Sequence, residues 1–190
     1  MGTKLIVGML GKAGSGKDTV AEYLINKNGF YRLALADPLK SAIKEMFLLD
    51  DFTTYDRHQR EQPLPDFPDW SPRKLFQFVG TELMRRQFDQ CIWSKLLVKR
   101  IRGSQCSKIV ISDVRFPDEQ QYLQKLKDDG YQIIFIKVKR DGCVGNNVGL
   151  SNHESEQYEL NSDYEILNNG TLEELYFKVD TIIKSHLNME

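Results

Sequence analysis

Leu5-Ile6-Val7-Gly8-Met9-Leu10 runs directly into Gly11-Lys12-Ala13-Gly14-Ser15-Gly16-Lys17-Asp18-Thr19, and Val20-Ala21-Glu22-Tyr23-Leu24-Ile25 follows with a helical pattern. The apolar run reads as a buried strand. A glycine-rich turn between such a strand and a helix is a phosphate cradle. Its backbone N–H groups point inward, the helix N-terminus adds partial positive charge, and a lysine reaches the outer phosphates. Gly11, Gly16 and Lys17 fit the spacing G-x-x-x-x-G-K, with Ala13, Gly14 and Ser15 inside the loop. The residue after the lysine is normally a Ser or Thr whose hydroxyl ligates the nucleotide's magnesium. Here it is Asp18, with Thr19 one place later. A carboxylate is acceptable there only beside the metal, so Asp18 or Thr19 is expected to contact magnesium, directly or through water.

Strand and helix alternate outward from this loop. Strands are expected at residues 4–10, 30–35, 108–112, 131–138 and 164–167, and helices at 16–26, 38–47, 71–86, 89–102, 117–129 and 172–187. Asp37 reads as an N-cap ahead of Pro38, and Thr171 with Glu174 as a capping box. Residues 50–70 break the rhythm, because Pro63, Pro65 and Pro68 exclude a long helix or a central strand. Such alternation predicts an α/β fold with a five-stranded parallel sheet and helices on both faces. Ligands of such sheets bind beyond the carboxyl ends of the strands. The phosphate loop, Asp37, Asp113 and Arg140 all fall at such ends and are expected to converge.

The composition narrows the function classes. The chain has 190 residues, 41% hydrophobic and 28% charged, as for one soluble domain. A net charge of −1 argues against general attraction to nucleic acid or to an anionic membrane. Cys91, Cys106 and Cys143 lack metal-ligand spacing and suit a reducing compartment. Gly2 is followed by Ile6 where myristoylation wants Ser or Thr, and the first apolar run is too short to span a bilayer. A cytoplasmic protein is expected.

Chemistry gathers at the strand ends. Lys17 would neutralise charge on the β- and γ-phosphates as a phosphoryl group moves. Asp113 ends an apolar strand, where the second magnesium-ordering acid of such nucleotide-binding proteins sits, with Arg115 two residues on. Switch-GTPase motifs are missing, as no Asp-x-x-Gly occurs. Instead Arg57, Arg60, Arg73, Lys74, Arg85 and Arg86 interleave with Phe67, Trp70, Phe76, Phe78 and Trp93. Arginines grip a monophosphate bidentately, and aromatic faces stack a base. Leu75, Phe78, Val79 and Leu83 read as a helix core stripe. Lys137, Lys139 and Arg140 precede a Gly- and Asn-rich stretch, 141–150, that reads as a mobile lid able to exclude water from the transferring group. His153-Glu154-Ser155-Glu156 reads as the tie of that lid to the core.

These residues together resemble the bacteriophage-type deoxynucleoside monophosphate kinases of the P-loop nucleoside monophosphate kinase superfamily. The match runs through Gly16-Lys17-Asp18-Thr19, Ala36-Asp37-Pro38-Leu39-Lys40, Arg60-Glu61, Ser71-Pro72-Arg73, Gln77 to Glu82, Arg85, Trp93, Ile111 to Pro117, and His153 to Glu156. Asp after the loop lysine is usual in that family. The resemblance implies a single P-loop kinase domain over 1–190, with a helical monophosphate-binding region at about 37–103 and a lid at about 140–157. It implies magnesium-dependent transfer of the γ-phosphoryl group of ATP to a deoxynucleoside 5′-monophosphate. Lys17 and Arg140 would stabilise the transferring group, and Asp18, Thr19 and Asp113 would order magnesium. Asp37, Lys40, Arg73, Gln77, Gly80, Arg85, Trp93 and Arg115 would line the acceptor site, with Trp70 beside them. One departure is that 141–152 contains no arginine, which leaves the lid's role to Arg140, shared with Arg115 or Arg85. The partners expected are small nucleotides, and a homodimer is compatible with the resemblance. A kinase of the dephospho-coenzyme A or phosphomevalonate kind and a regulatory nucleotide-binding switch are the alternatives.

Overall fold

In the computed structural model, which describes residues 4–56, 58–142 and 158–187, the opening apolar run is β1, Leu5–Leu10, and all of it is buried. β1 is the middle strand. It pairs in parallel with β3, Lys108–Ile111, on one side and with β4, Gln132–Lys139, on the other. β2, Tyr31–Leu33, and β5, Tyr164–Leu167, complete an all-parallel sheet of order β2-β3-β1-β4-β5. Side chains alternate across a strand. Leu5, Val7 and Met9 therefore join one core, with Val20, Ala21 and Leu24 of α1, Lys17–Asn28, and Leu175, Val179 and Ile183 of α7, Leu172–Leu187. On the opposite face Gly8 lies against Phe135, its register partner, and a Cβ there would stand 2.6 Å from the ring. Both faces being covered explains why β1 lacks a polar alternation.

The chain divides into two units, Met1–Ala34 with Leu97–Glu190, and Leu35–Leu96. The first holds the sheet, α1, α6 (Pro117–Gln124, extended by a 3₁₀ turn at Lys125–Asp129) and α7. The second is helical: α2, Asp37–Met46; α3, Asp51–Tyr55; a 3₁₀ turn, Gln59–Glu61; and α4, Pro72–Gln77, which continues as a π-helix, Phe78–Phe88. α5, Ile92–Gly103, carries the chain back to the first unit. No described helix is long and apolar enough to cross a membrane. Cys91 and Cys106 are free thiols, and Cys143 lies outside the described residues.

Several expectations are corrected. β2 is three residues rather than six, because it is an edge strand and the chain leaves the sheet after Leu33. Asp37 is not the N-cap of α2. Ala36 already has helical backbone angles, so the helix begins at Asp37, whose charge lies in the first turn. Residues 50–70 are not a plain loop. Asp50 accepts a hydrogen bond from the Thr53 N–H at 2.6 Å and so caps α3. The Leu64 N–H donates to the Trp70 carbonyl at 2.8 Å, which closes the proline-rich segment on itself. Asp50's carboxyl is held below its ordinary range chiefly by the hydrogen bond from the Thr53 N–H. Half of the Thr171 capping box is present, since its Oγ1 accepts from the Glu174 N–H at 3.3 Å.

The end of α2 carries a backbone strain. Leu48 has φ 52°, and the Leu49 N–H reaches back to the Lys44 carbonyl at 2.9 Å. This is the left-handed C-terminal turn that glycine usually fills. Leu48 is 88% exposed, so its side chain gains almost nothing from burial. The left-handed conformation costs an L-residue about 1–2 kcal/mol, partly offset by glycine's extra freedom when unfolded. Leu48→Gly should therefore stabilise the protein by about 0.5–1 kcal/mol. Urea denaturation should show a raised midpoint at unchanged slope; a lowered midpoint would contradict the strain.

Candidate functional site

The loop after β1 is shaped by three left-handed glycines, Gly11 at φ 141°, Gly14 at 81° and Gly16 at 99°. Gly11 is also fixed by space: a Cβ there would meet the Val138 carbonyl at 2.5 Å and Ser15 Oγ at 2.7 Å. The Ser15 N–H closes the turn onto the Lys12 carbonyl at 3.2 Å. α1 then starts at Lys17 with Gly16 as its N-cap, and no side chain caps it. An N-terminus without a side-chain cap directs N–H groups and the positive end of the helix dipole at an incoming anion. Ala13 and Thr19 are half-buried, and Ser15 is buried.

Lys17 stands at the mouth of this loop. Its side chain is 13% exposed, and its ammonium lies 2.9 Å from Asp18 Oδ1, whose own side chain is 74% exposed. Only the carboxylate half of this ion pair is open to water, and solvent screening there keeps the pair weak. The pair therefore holds the ammonium at the loop without locking it away from a phosphate.

The other strand ends fall in place around the loop. Gly8 of β1 is in register with Ile111 of β3, and Leu10 with Lys137 of β4. Gly11, Asp113 and Arg140 therefore leave the sheet by one edge. β1 sends the chain toward β2 and β4 sends it toward β5, so connections diverge at this point, where ligands of such sheets bind. Asp113 is half-buried, and Arg115 and Arg140 are exposed. Asp37, expected at the same edge, belongs to the second unit. Lys137 and Lys139 both pair with Glu165 of β5, at 3.9 and 2.7 Å. The Lys139 hydrogen bond above all keeps the Glu165 carboxyl below its ordinary range. The two lysines thus brace the sheet edge. Of the lid expected at about 140–157, residues 143–157, His153 to Glu156 included, lie outside the described residues, as does Arg57.

Two positioning elements were not foreseen. Buried Glu119 accepts from the backbone N–H groups of Arg115 and Phe116, at 2.8 and 3.0 Å, which fixes the turn that presents Arg115. Its signal was present in Pro117 with Glu119 two places on, the start of a helix with an acidic third residue. Asn168 and Asn169, read only as a turn, contact the site. Asn168 Nδ2 donates to the Ser15 carbonyl at 2.9 Å, and Asn169 Oδ1 accepts from the Asp141 N–H at 2.9 Å.

The second unit holds most of the expected acceptor residues. Asp37 and Lys40 lie in the first turns of α2, and the Lys40 ammonium stands 5.6 Å over the Tyr55 ring. Ser71 caps α4 by accepting from the Lys74 N–H at 3.3 Å. Arg73, next in that turn after Pro72, pairs with Glu61. Gln77 ends α4, half-buried. From Phe78 the helix widens to i→i+5 bonding, a form concentrated at functional sites. Its buried residues are Gly80 and Arg85, five apart and so on one face. This overturns the expected core stripe at Phe78, which is 40% exposed and meets Trp70 edge-on at 5.4 Å. Gly80 abuts Leu39, leaving 2.6 Å for a Cβ. Trp93 is buried, and its indole N–H donates to the Gly80 carbonyl at 3.0 Å. Trp93 thus braces the π-helix, and Trp70 is the more open indole.

A groove of about 620 Å³ lies at the amino ends of β4 and β5, lined in part by Gln132, Tyr164 and His186. It is at the sheet edge opposite the phosphate loop. His186 is occupied there by Gln132 and Tyr164, at 2.6 and 2.9 Å, and ties α7 to the sheet.

Comparison with known proteins agrees with this geometry. The profile of the deoxynucleotide monophosphate kinase family matches residues 50–179. A protein of Acanthamoeba polyphaga mimivirus assigned as a deoxynucleotide monophosphate kinase is 35% identical over 204 residues, covering 97% of this chain and 99% of that one. The deoxynucleoside-5′-monophosphate kinase of Escherichia phage T5 is 26% identical over 193 residues, 70% of this chain and 77% of that one. Among solved structures, the Mycobacterium tuberculosis APS kinase in complex with AMPPNP and APS superposes with a TM-score of 0.56 at 12% identity, covering 97% of this chain and 99% of that one. A sugar kinase from Janibacter gives a TM-score of 0.52 at 15% identity, with 96% and 95% covered. These two share the fold alone. With the phosphate loop, the parallel sheet and a family match over most of its length, this chain is a P-loop kinase and belongs to the deoxynucleotide monophosphate kinase family.

Proposed function

We propose that the protein transfers the γ-phosphoryl group of ATP to the 5′-phosphate of a deoxynucleoside monophosphate, with magnesium, giving the diphosphate and ADP. The observation that carries this reading is the glycine-built turn ahead of an α1 N-terminus without a side-chain cap, with Lys17 at its mouth. Its partners are small nucleotides. A net charge of −1 supports a site that relies on local cations rather than on a general field.

The obstacle to the reaction is electrostatic. The nucleophile is an oxygen of the acceptor phosphate, which is largely dianionic at neutral pH because the second pKa of a phosphate monoester is about 6. It needs no strong base, but it must approach a polyanion. Lys17 and Arg140 lie at the triphosphate edge and lower that repulsion as charge develops on the transferring group. Arg73, Arg85 and Arg115 hold the acceptor phosphate, and Asp37, Lys40, Gln77 and Gly80 complete its pocket. Trp70, edge-on to Phe78, offers a face for the base, with Trp93 supporting the helix behind.

Among the described residues no group of three or more His, Cys, Asp or Glu could hold a metal. Magnesium fits nonetheless, because it keeps several waters and takes one or two carboxylates plus the substrate phosphates. Asp18, open to solvent beside Lys17, and Asp113, at the end of the adjacent strand, supply that donor set, with Thr19 as a hydroxyl. When bound, the ion would neutralise charge on the phosphates.

ADP release from ATP and magnesium should appear with one or more deoxynucleoside monophosphates, and not with dephospho-coenzyme A or phosphomevalonate. Equal ADP release without any acceptor would overturn the reading. Lys17→Ala should lower kcat by at least about 10²–10³-fold, the usual loss for one donor to a developing charge. Arg73→Ala should raise the acceptor KM by roughly 10–100-fold, as expected for a hydrogen-bonded charge, and leave the KM for ATP near its original value. A change confined to the ATP KM would move Arg73 out of the acceptor site.

A further inference from the structure

We propose that Asn168 is a positioning residue that locks the Ser15–Gly16 peptide in the orientation that phosphate binding requires; this rests on the functional reading above. The amide of Asn168 faces a carbonyl, so only its Nδ2 can make the bond, and it donates to the Ser15 oxygen at 2.9 Å. The peptide between Ser15 and Gly16 is planar and trans, as no cis bond occurs in the described chain. In a trans peptide the carbonyl and the following N–H point opposite ways. Holding the Ser15 carbonyl on the Asn168 side therefore turns the Gly16 N–H to the other side of the peptide, as a donor for phosphate.

Without such a hold this peptide is free to turn over. Gly16 is at φ 99°, and the loop contains two further left-handed glycines, Gly11 and Gly14. Glycine visits both halves of backbone space at little cost. A flipped peptide would present a carbonyl oxygen to the phosphates in place of a donor. The site is built for the amide: a Cβ on Gly16 would occupy the place of Asn168 Nδ2, so this glycine supplies room as well as conformation. Asn168 is itself fixed. Its backbone N–H donates to the Lys139 carbonyl at 2.7 Å, the last rung between β5 and β4. Its neighbour Asn169 holds Asp141 through the Asp141 N–H at 2.9 Å and through Asp141 Oδ2 at 2.5 Å. The turn after β5 thus ties the phosphate loop to the strand end that carries Arg140.

The test uses the full chain, a non-hydrolysable ATP analogue with magnesium, and Asn168→Leu, which is close in size, uncharged and unable to donate. The analogue should bind about tenfold more weakly, the worth of one lost hydrogen bond in this setting. The acceptor KM should stay unchanged. Asn168→Asp should bind the analogue more weakly still, because a carboxylate repels the Ser15 carbonyl and attracts the N–H to the wrong side. In NMR spectra the Gly16 amide proton should move downfield when the analogue binds the unsubstituted protein and stay in place in the Leu variant at saturation. Analogue binding by Asn168→Leu equal to that of the unsubstituted protein overturns the lock. So does a parallel loss of analogue affinity, acceptor affinity and Tm, which marks a merely structural residue. If the unsubstituted protein binds no analogue, the functional reading falls first and the lock with it.

Discussion

A polyanion is bound by backbone N–H groups only if successive peptides turn the same side inward, and L-residues resist the angles this needs. Here that constraint is met at the end of β1, by left-handed glycines at 11, 14 and 16. The turn is held from its base. β1 is clamped on both sides, by β3 and by β4, and packed on both faces. The Val138 carbonyl of β4 comes so close to Gly11 that no side chain could grow there. The same clamping fixes Asp113 and Arg140, which leave the neighbouring strands at the same edge. The fold and the site are thus two consequences of one buried strand.

In the proposed reaction the residues come from both units. The sheet unit would supply the loop, Lys17, the two carboxylates Asp18 and Asp113, and the arginines at 115 and 140. The helical unit would supply Arg73, Arg85, Lys40 and the indole of Trp70. Its π-helix has a clear physical consequence. The wider turn of i→i+5 bonding brings Gly80 and Arg85 onto one buried face, where an α-helix would have set them about 140° apart by its 3.6-residue period. The Trp93 indole holds the Gly80 carbonyl in that stretch, and Leu39 fills the space a side chain at Gly80 would need. A buried guanidinium is costly unless its donors are met, so the helix geometry and the charge of Arg85 are linked.

The sheet was legible because its signals are local. The apolar runs at 5–10, 109–111 and 133–136 marked the three central strands, and G-x-x-x-x-G-K marked the loop between β1 and α1. The helical unit was less so. Asp50 as a cap for α3 was hidden because Pro63, Pro65 and Pro68 further on made the whole of 50–70 read as irregular chain. The α-to-π change at Phe78 leaves a sequence that still reads as a 3.6-residue stripe, so Phe78 was assigned to the core it does not enter. Asp37 read as a cap because Pro38 follows it, yet the helical angles already begin at Ala36. Asn168 was invisible in its bracing role, since a turn Asn gives no sign of reaching a carbonyl more than 150 residues earlier. Long-range hydrogen bonds are set by topology, and topology has no local signature.

In the proposed reaction one phosphoryl group passes intact from triphosphate to monophosphate. This transfer is tested most directly by following the label of ATP carrying ³²P at the γ-position, with magnesium and each deoxynucleoside monophosphate in turn. The label should appear in the β-phosphate of the deoxynucleoside diphosphate in step with ADP. Label released as inorganic phosphate at the same rate with and without acceptor would contradict it.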